Sequence, residues 1–451
     1  MSSGTEVDLD ASSSETEISE KQTPPASISA YPDASRANRR PPLIPGRQTP
    51  LQTNMSIKHV CVSGPYIAVS SSDLTRVFNL KKDAGATAIW SYAHPHSNDA
   101  YKVTSIEFKP CRDVNSEGSW LWIGTDKGGL MEFDLLSDLH GPVEKRGNVH
   151  TSSVNAILRC RLSLWSIDDS GKVQVWTPPE DNFGEISMAN TPKTFRVAPR
   201  WSVAFVAGWS LWLGQGRQIQ VYSPLLLNGD AFNVTQRAIA LPVGKTVGAV
   251  TCGTTLPTDK DRIFVGHDDG KVSIYSQSTL TCLDVVPINI YNIATLAGVG
   301  EYLWAGFRTG MIYVYDTSVT PWRVCKDWEA HHKMKITHLL ADQTSLWRAG
   351  VGMVISICED GSLKLWDALL MDDWLGICLL STTNDLKMRC RKGRWNIVNS
   401  GILILWFAHG MLVRVDHLIS VEGAVLSKTS WRTLSGPWTH LISLSLDFKS
   451  L

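Results

Sequence analysis

One short pattern returns seven times along this 451-residue chain, and little else about the sequence constrains the fold as strongly. Its clearest copy is "YLWAGFRTGMIYVYD", Tyr302 to Asp316. An apolar run with a Trp bends through a turn, alternates, and ends on an aromatic residue and Asp. Aligned on that last aromatic, the copies fall at Phe78, Phe133, Trp176, Tyr222, Tyr275, Tyr315 and Trp366, 40 to 55 residues apart. Five of them carry Gly five positions before the aromatic: Gly128, Gly171, Gly270, Gly310 and Gly361. A tight hairpin needs a residue that accepts positive φ, and Gly does so at no steric cost. The fourth copy has Gly216 one place early and the first has Asp73 instead, so those two turns differ.

Each hairpin is preceded by a further β-like run, such as "KVTSIEFKP" or "KITHLLAD", and followed by a shorter one such as "CLDVVP". Four strands per unit, repeated every 40 to 55 residues without a strong helical pattern, predict an all-β, seven-bladed β-propeller. The chain holds 18 Trp, and "LW" pairs at Leu121–Trp122, Leu164–Trp165, Leu211–Trp212 and Leu303–Trp304 put a ring at the same point of successive units. Those rings are expected between blades.

Formal net charge is zero, so bulk electrostatics give no argument for nucleic acid or an anionic membrane as a partner. The nine Cys are scattered and include no C-x-x-C pair, which points to neither a zinc site nor a disulfide framework and fits a reduced, intracellular compartment. No cofactor is expected. Residues 1 to about 52 are rich in Ser, Thr, Pro and charge; they begin without an apolar leader and are expected to be disordered. Within them "RRPPLIPGR" has the composition of a polyproline-type ligand, or of a plain solvated linker. The longest apolar run, Gly401 to Val413, is too short to span a bilayer as a helix. The domains expected are 1–52 disordered, 53–370 propeller, and 371–451 a short helix followed by a tail.

The units resemble WD repeats, in which a His before the first strand, a Ser or Thr on the second, an Asp in the turn and a Trp on the third bond to one another inside the blade. The seventh unit offers His332, Ser356, Asp360 and Trp366. The third offers His150, Ser166 and Trp176, with Ser170 at the Asp position. A His–Asp–Ser set invites comparison with a hydrolase triad, but these residues fall on repeat positions and read as a structural network.

A closer resemblance covers about residues 45 to 374. From "NMSIKHVCVSGPYIAVSSSDLTRVFNL" through "SWLWIGTDKGGLMEFD" to "DGSLKLWDALLMDDWL", the chain is similar to the propeller region of fungal inositol polyphosphate 5-phosphatases. In that family an endonuclease/exonuclease/phosphatase-like domain follows, with a "TWN" strand whose Asn binds Mg²⁺, a "GD-x-N" motif and a "WCDR" motif. Here "GICLLSTTNDLKMRCRKGRWNIVNSGILILWF" follows instead, and "RWN" (Arg394–Asn396) echoes the first motif without the others. No catalytic residues are therefore assigned, and no phosphatase activity is expected of this chain. Three readings of the tail stay open: a non-homologous extension, a partner-binding segment anchored by Trp395, Leu405, Trp406 and Phe407, or a decayed eighth hairpin in "LWFAHGMLVRVD".

The resemblance implies a cytoplasmic interaction scaffold in phosphoinositide metabolism, binding proteins through the loops between blades. An inositol-lipid 5-phosphatase and a general peptide adaptor are the alternatives. Two locally basic stretches, with Lys333 and Lys335 in "AHHKMK" and Lys387 and Arg391 in "KMRCRKGR", are candidate contacts for a phosphate or an anionic phosphoinositide surface; the competing reading is a solvated loop. Ring closure is expected from "TPLQTN", just before Met55, as the outer strand of the seventh blade.

Overall fold

The computed structural model describes Tyr31–Ile44 and Pro50–Ala368 apart from short loops, Leu370, and the backbone of several short strands between Lys387 and Ser450. Between residues 51 and 367 the strands form seven four-stranded antiparallel sheets in a ring. Their inner strands are His59–Ser63, Val103–Phe108, Val154–Cys160, Val203–Ala207, Val250–Thr255, Ile293–Val299 and Ile336–Ala341, in blades 1 to 7. Each packs beside the inner strands of the blades on either side, and blade 7 meets blade 1. The chain is thus a seven-bladed β-propeller, as its repeat predicts.

The second and third strands of each blade lie between two neighbouring sheets. They are buried on both faces, which is why they read as near-continuous apolar runs; in blade 6, Leu303 to Phe307 is buried without a break. All seven repeat aromatics are buried on the third strands. The LW tryptophans pack as expected: Trp122 of blade 2 meets Trp176 of blade 3 edge-on at 5.3 Å, and Trp212 of blade 4 meets Tyr275 of blade 5 at 5.8 Å.

The turn glycines answer two demands at once. Gly310 has φ +85°, and a Cβ there would also run into the His331 carbonyl oxygen of the loop leading into blade 7. The first demand belongs to the hairpin; the second belongs to the ring. The inner strands of blades 2, 3, 5, 6 and 7 each slip register after their first residue, at Val103, Val154, Val250, Ile293 and Ile336. A bulge there sharpens the twist that lets the sheets fan around an axis.

The ring closes through the N-terminal segment. Leu51 and Gln52 pair antiparallel with Leu363 and Ser362, and the Thr53 hydroxyl donates to the Gly361 carbonyl at 2.8 Å. "TPLQTN" therefore supplies the outer strand of blade 7. The expectation of disorder over residues 1–52 needs correction at Tyr31–Ile44. Asp33 N donates to Trp322 O at 2.7 Å, Val324 N to Asp33 O at 2.8 Å, Asn38 N to Cys325 O at 3.0 Å, and Asp367 N to Pro42 O at 2.8 Å. These residues run along the outer strand of blade 6, Arg323–Glu329, and reach blade 7 with Pro42 and Ile44 buried. The main chain at an open sheet edge supplies the order, which side-chain hydrophobicity does not reveal. Part of the polyproline-like stretch is accordingly occupied within the chain.

Residues 1–30 and the helix expected just after 370 lie outside the described residues. Beyond 370, five short strands pair into one sheet, and Leu403–Phe407 pairs with Gly410–Arg414. That hairpin covers the stretch read as a decayed eighth repeat and, among the described residues, remains two-stranded.

Candidate functional site

The buried polar sets decide what the inside of the ring can do. In blade 3 the Ser166 hydroxyl lies 2.8 Å from His150 Nε2 and accepts from Trp176 Nε1 at 3.1 Å. Asp168 Oδ2 stands 3.3 Å from His150 Nδ1, while Oδ1 accepts from the Ser170 hydroxyl and the Lys172 amide at 2.7 and 2.8 Å. The acid beside His150 is thus Asp168, two residues before the Ser170 position where the repeat pattern puts it.

Blade 7 requires a correction as well. His331, not His332, lies 2.8 Å from Ser356 Oγ, which accepts from Trp366 Nε1 at 2.8 Å. His332 turns outward, its side chain 78% exposed, with Nδ1 2.8 Å from Glu329 Oε1. The loop leading into blade 7 is one residue longer than its counterpart before blade 3, so a fixed count back from the first strand lands on the wrong histidine. A backbone signal identifies the right one: His150 N donates to Gly128 O and His331 N donates to Gly310 O, each the turn glycine of the preceding blade.

Asp360 does not bond to His331. It lies in the exposed turn and accepts from the Ser362 amide at 2.7 Å and the Cys358 thiol at 2.6 Å, and Ser362 Oγ reaches His331 Nδ1 at 3.3 Å. Cys358 takes the place of Asp168 and Asp360 that of Ser170, so the acid has exchanged places with a small polar group two residues away.

Two further sets escaped the repeat pattern. His267 ends the second strand of blade 5 and lies 2.7 Å from Ser273 Oγ; His94 of blade 1 lies 2.8 Å from Thr75 Oγ1 and 3.2 Å from the Tyr101 hydroxyl. His267 ends a strand, whereas His94 lies in the loop after Trp90–Ala93, nine residues before the inner strand of blade 2, so no common spacing announces them.

Burial sets the protonation of these groups. It holds both His150 and His331 down at about 4, with the nearby Lys364 adding to the effect on His331. Burial pushes Asp168 upward, but the Ser170 and Lys172 hydrogen bonds outweigh it and leave the carboxyl below its ordinary value. Ser166 and Ser356 have no solvent access, and each hydroxyl is already engaged by a histidine and a tryptophan. Such a serine offers no approach to a substrate. Among the described residues no three His, Cys, Asp or Glu side chains converge as metal ligands would.

The surface is left to the loops. Lys333, in the left-handed region at φ 52°, is exposed and Lys335 half-buried in the loop before blade 7, beside Glu329 and His332. Arg391 and the Lys387 side chain lie outside the described residues, so the two basic stretches are not seen to meet. On one face, exposed Val243 and the pair Ile290–Tyr291 occupy the loops leading into the adjacent blades 5 and 6. No helix among the described residues is long and apolar enough to cross a membrane.

No protein-family model matches the chain. A chain in the crystal structure of a mitotic checkpoint complex superposes with TM-score 0.52 at 14% identity, over 76% of this chain and 96% of that one, which is a likeness of fold. A curated protein of Schizosaccharomyces pombe named a probable inositol polyphosphate 5-phosphatase is 32% identical over 352 residues, 77% of this chain and 28% of the relative. Over about three quarters of its length, then, the chain is a homologue of a protein named a probable inositol polyphosphate 5-phosphatase, and it spans little more than a quarter of that relative's length.

Proposed function

We propose that the ring is a docking module that holds partner proteins on its loops and links them to cytoplasmic phosphoinositide metabolism. The observation that carries this reading is the 352-residue likeness to a protein named a probable inositol polyphosphate 5-phosphatase. Inside the ring, the His–Ser sets of blades 3 and 7 are spent on blade architecture. What remains for recognition is a rigid frame carrying loops, among them the apolar loops before blades 5 and 6.

Affinity capture with two forms of the chain tests the reading. The intact ring retains a defined protein at fixed stoichiometry, and a form lacking residues 48–55, whose ring is open, loses it. Equal retention by both forms would mean that the folded platform is not what binds.

The second reading, catalysis on the 5-phosphate of an inositol lipid or inositol polyphosphate, draws support from the relative's name. Direct assay of phosphate release separates the two.

A further inference from the structure

We infer that Tyr31–Ile44 is a fixed basic strap by which the rim of the propeller lies against an anionic bilayer. The strap is pinned along the outer edge of blade 6 by main-chain hydrogen bonds, and Lys326 Nζ donates to the Arg40 carbonyl at 2.9 Å. Its ordering is therefore part of folding and need not be met again when a surface binds. Arg36, Arg39 and Arg40 all face solvent from this pinned backbone, the Arg39 side chain 84% exposed.

Those charges are only partly neutralised. Among the described residues Arg36 and Arg40 make no ion pair, and the nearest carboxylate to Arg39 Nε is Asp327 Oδ2 at 3.9 Å. Asp33 is the one acid on the strap itself, and its carboxylate accepts from the Ser35 amide at 2.9 Å. Arg323 of the underlying strand does not add free charge, since Asp316 Oδ2 binds it at 2.6 Å. The strap thus presents three guanidinium groups against two acids, Asp33, whose carboxyl the Arg36 charge helps hold low, and Asp327 beside Arg39.

The apolar flanks choose among anionic partners. Tyr31, 56% exposed, precedes the arginines and Leu43, 43% exposed, follows them. Guanidinium groups pair with lipid phosphates, while a Tyr ring and a Leu side chain settle at the boundary between headgroups and acyl chains. Nucleic acid would use the arginines but leave the exposed Leu43 without a matching apolar surface. The loop carrying Lys333 and Lys335 is weaker on both counts, since Glu329 stands beside it.

The test is co-sedimentation of the full chain with vesicles of phosphatidylcholine, alone or mixed with phosphatidylserine, at low and physiological salt. Binding is expected only to the mixed vesicles and is weakened by salt. The combined substitution Arg36→Ala, Arg39→Ala, Arg40→Ala lowers affinity on the order of a hundredfold, since each basic residue at such a surface contributes roughly fivefold. Melting temperature stays unchanged because the backbone, not these side chains, holds the strap. If the triple variant melts early, Arg36→Gln alone serves, with a loss of roughly fivefold. Tyr31→Ser with Leu43→Ser weakens binding several-fold, and Lys333→Ala with Lys335→Ala leaves it unchanged.

The inference is overturned if the intact chain ignores phosphatidylserine, if the triple variant binds like the intact chain, if the Lys333 and Lys335 pair carries the loss, or if RNA binds in preference to the vesicles. Protein capture by the loops is a separate readout, so either proposal can fail alone.

Discussion

Blades 6 and 7 share one plan of four strands and fill the middle of it by opposite means. Blade 7 places Ser356 at the centre, with His331 and Trp366 on its hydroxyl and Ile357 beside it. At the matching positions blade 6 has Ala305 and Gly306, and a Cβ at Gly306 would press on Thr295 and on Ile336 of the next blade. On the face that Ala305 shares, the space is filled by Tyr315 and Trp322, 6.2 Å apart, and on the opposite face Trp304 lies edge-on to Trp328 at 5.6 Å, with Trp328 edge-on to Trp366 of blade 7 at 5.3 Å. The indole nitrogens of Trp304 and Trp328 have no hydrogen-bond partner among the described residues. Blade 7 is thus held by a network whose members depend on one another, and blade 6 by volume. The repeat tolerates both because each blade needs only to match the faces of its neighbours.

The comparison can be broken at several points. Removing residues 48–55 takes away the outer strand of blade 7 and the Thr53 bonds, and this should have the largest effect, a sharp fall in melting temperature. An unchanged melting temperature would show that blade 7 stands with three strands. Next, Trp304→Ala opens a cavity at the blade 6–7 seam and should cost about 3–5 kcal/mol by denaturant unfolding. Ser356→Ala strips a buried His and Trp of their shared partner and should cost about 1–3 kcal/mol. If Ser356→Ala proved the costlier of the two, the division between a packed blade and a bonded blade would be wrong.

Acid should act through the buried histidines, His59 of blade 1 and His338 of blade 7 among them, since burial holds these at about 4 as well. His150 and His331 are held at about 4, below the ordinary value of 6.5 for an imidazole, so the unfolded chain binds more protons between those limits. The stability they contribute is complete above pH 6.5 and is lost as pH falls toward 4. Unfolding curves at pH 7 and 5 for the intact chain and for Trp304→Ala should show the same acid loss, because that tryptophan takes no part in either His–Ser–Trp set. The smallest effect tests the corrected assignment. His332→Ala should leave stability within about 0.5 kcal/mol of the intact chain, as surface substitutions generally do, whereas His331→Ala should destabilise it.

The ring was legible because its code is periodic. Seven aromatics, five turn glycines and the LW pairs recur at offsets that agree to within one residue, and each proves to sit at the same point of its blade. Closure was legible too, since a ring of whole blades needs one strand from the other end of the chain. The strap was not, because residues 31–44 are poor in apolar side chains and gain their order from main-chain bonds to blade 6. The polar centres were half legible. Ser166, Trp176, Ser356 and Trp366 stand where the repeat puts them, but His332 was displaced by one extra loop residue and the blade 3 acid by a two-residue exchange. Sequence spacing locates a strand; it does not say which of two adjacent side chains turns inward.

The most direct test of the ring as a platform, with its His–Ser sets as architecture, is an assay of phosphate release from an inositol polyphosphate bearing a 5-phosphate. The folded chain should release none above a blank, and Ser356→Ala should match it. Release by the intact chain that disappears in Ser356→Ala while the fold survives would contradict the account.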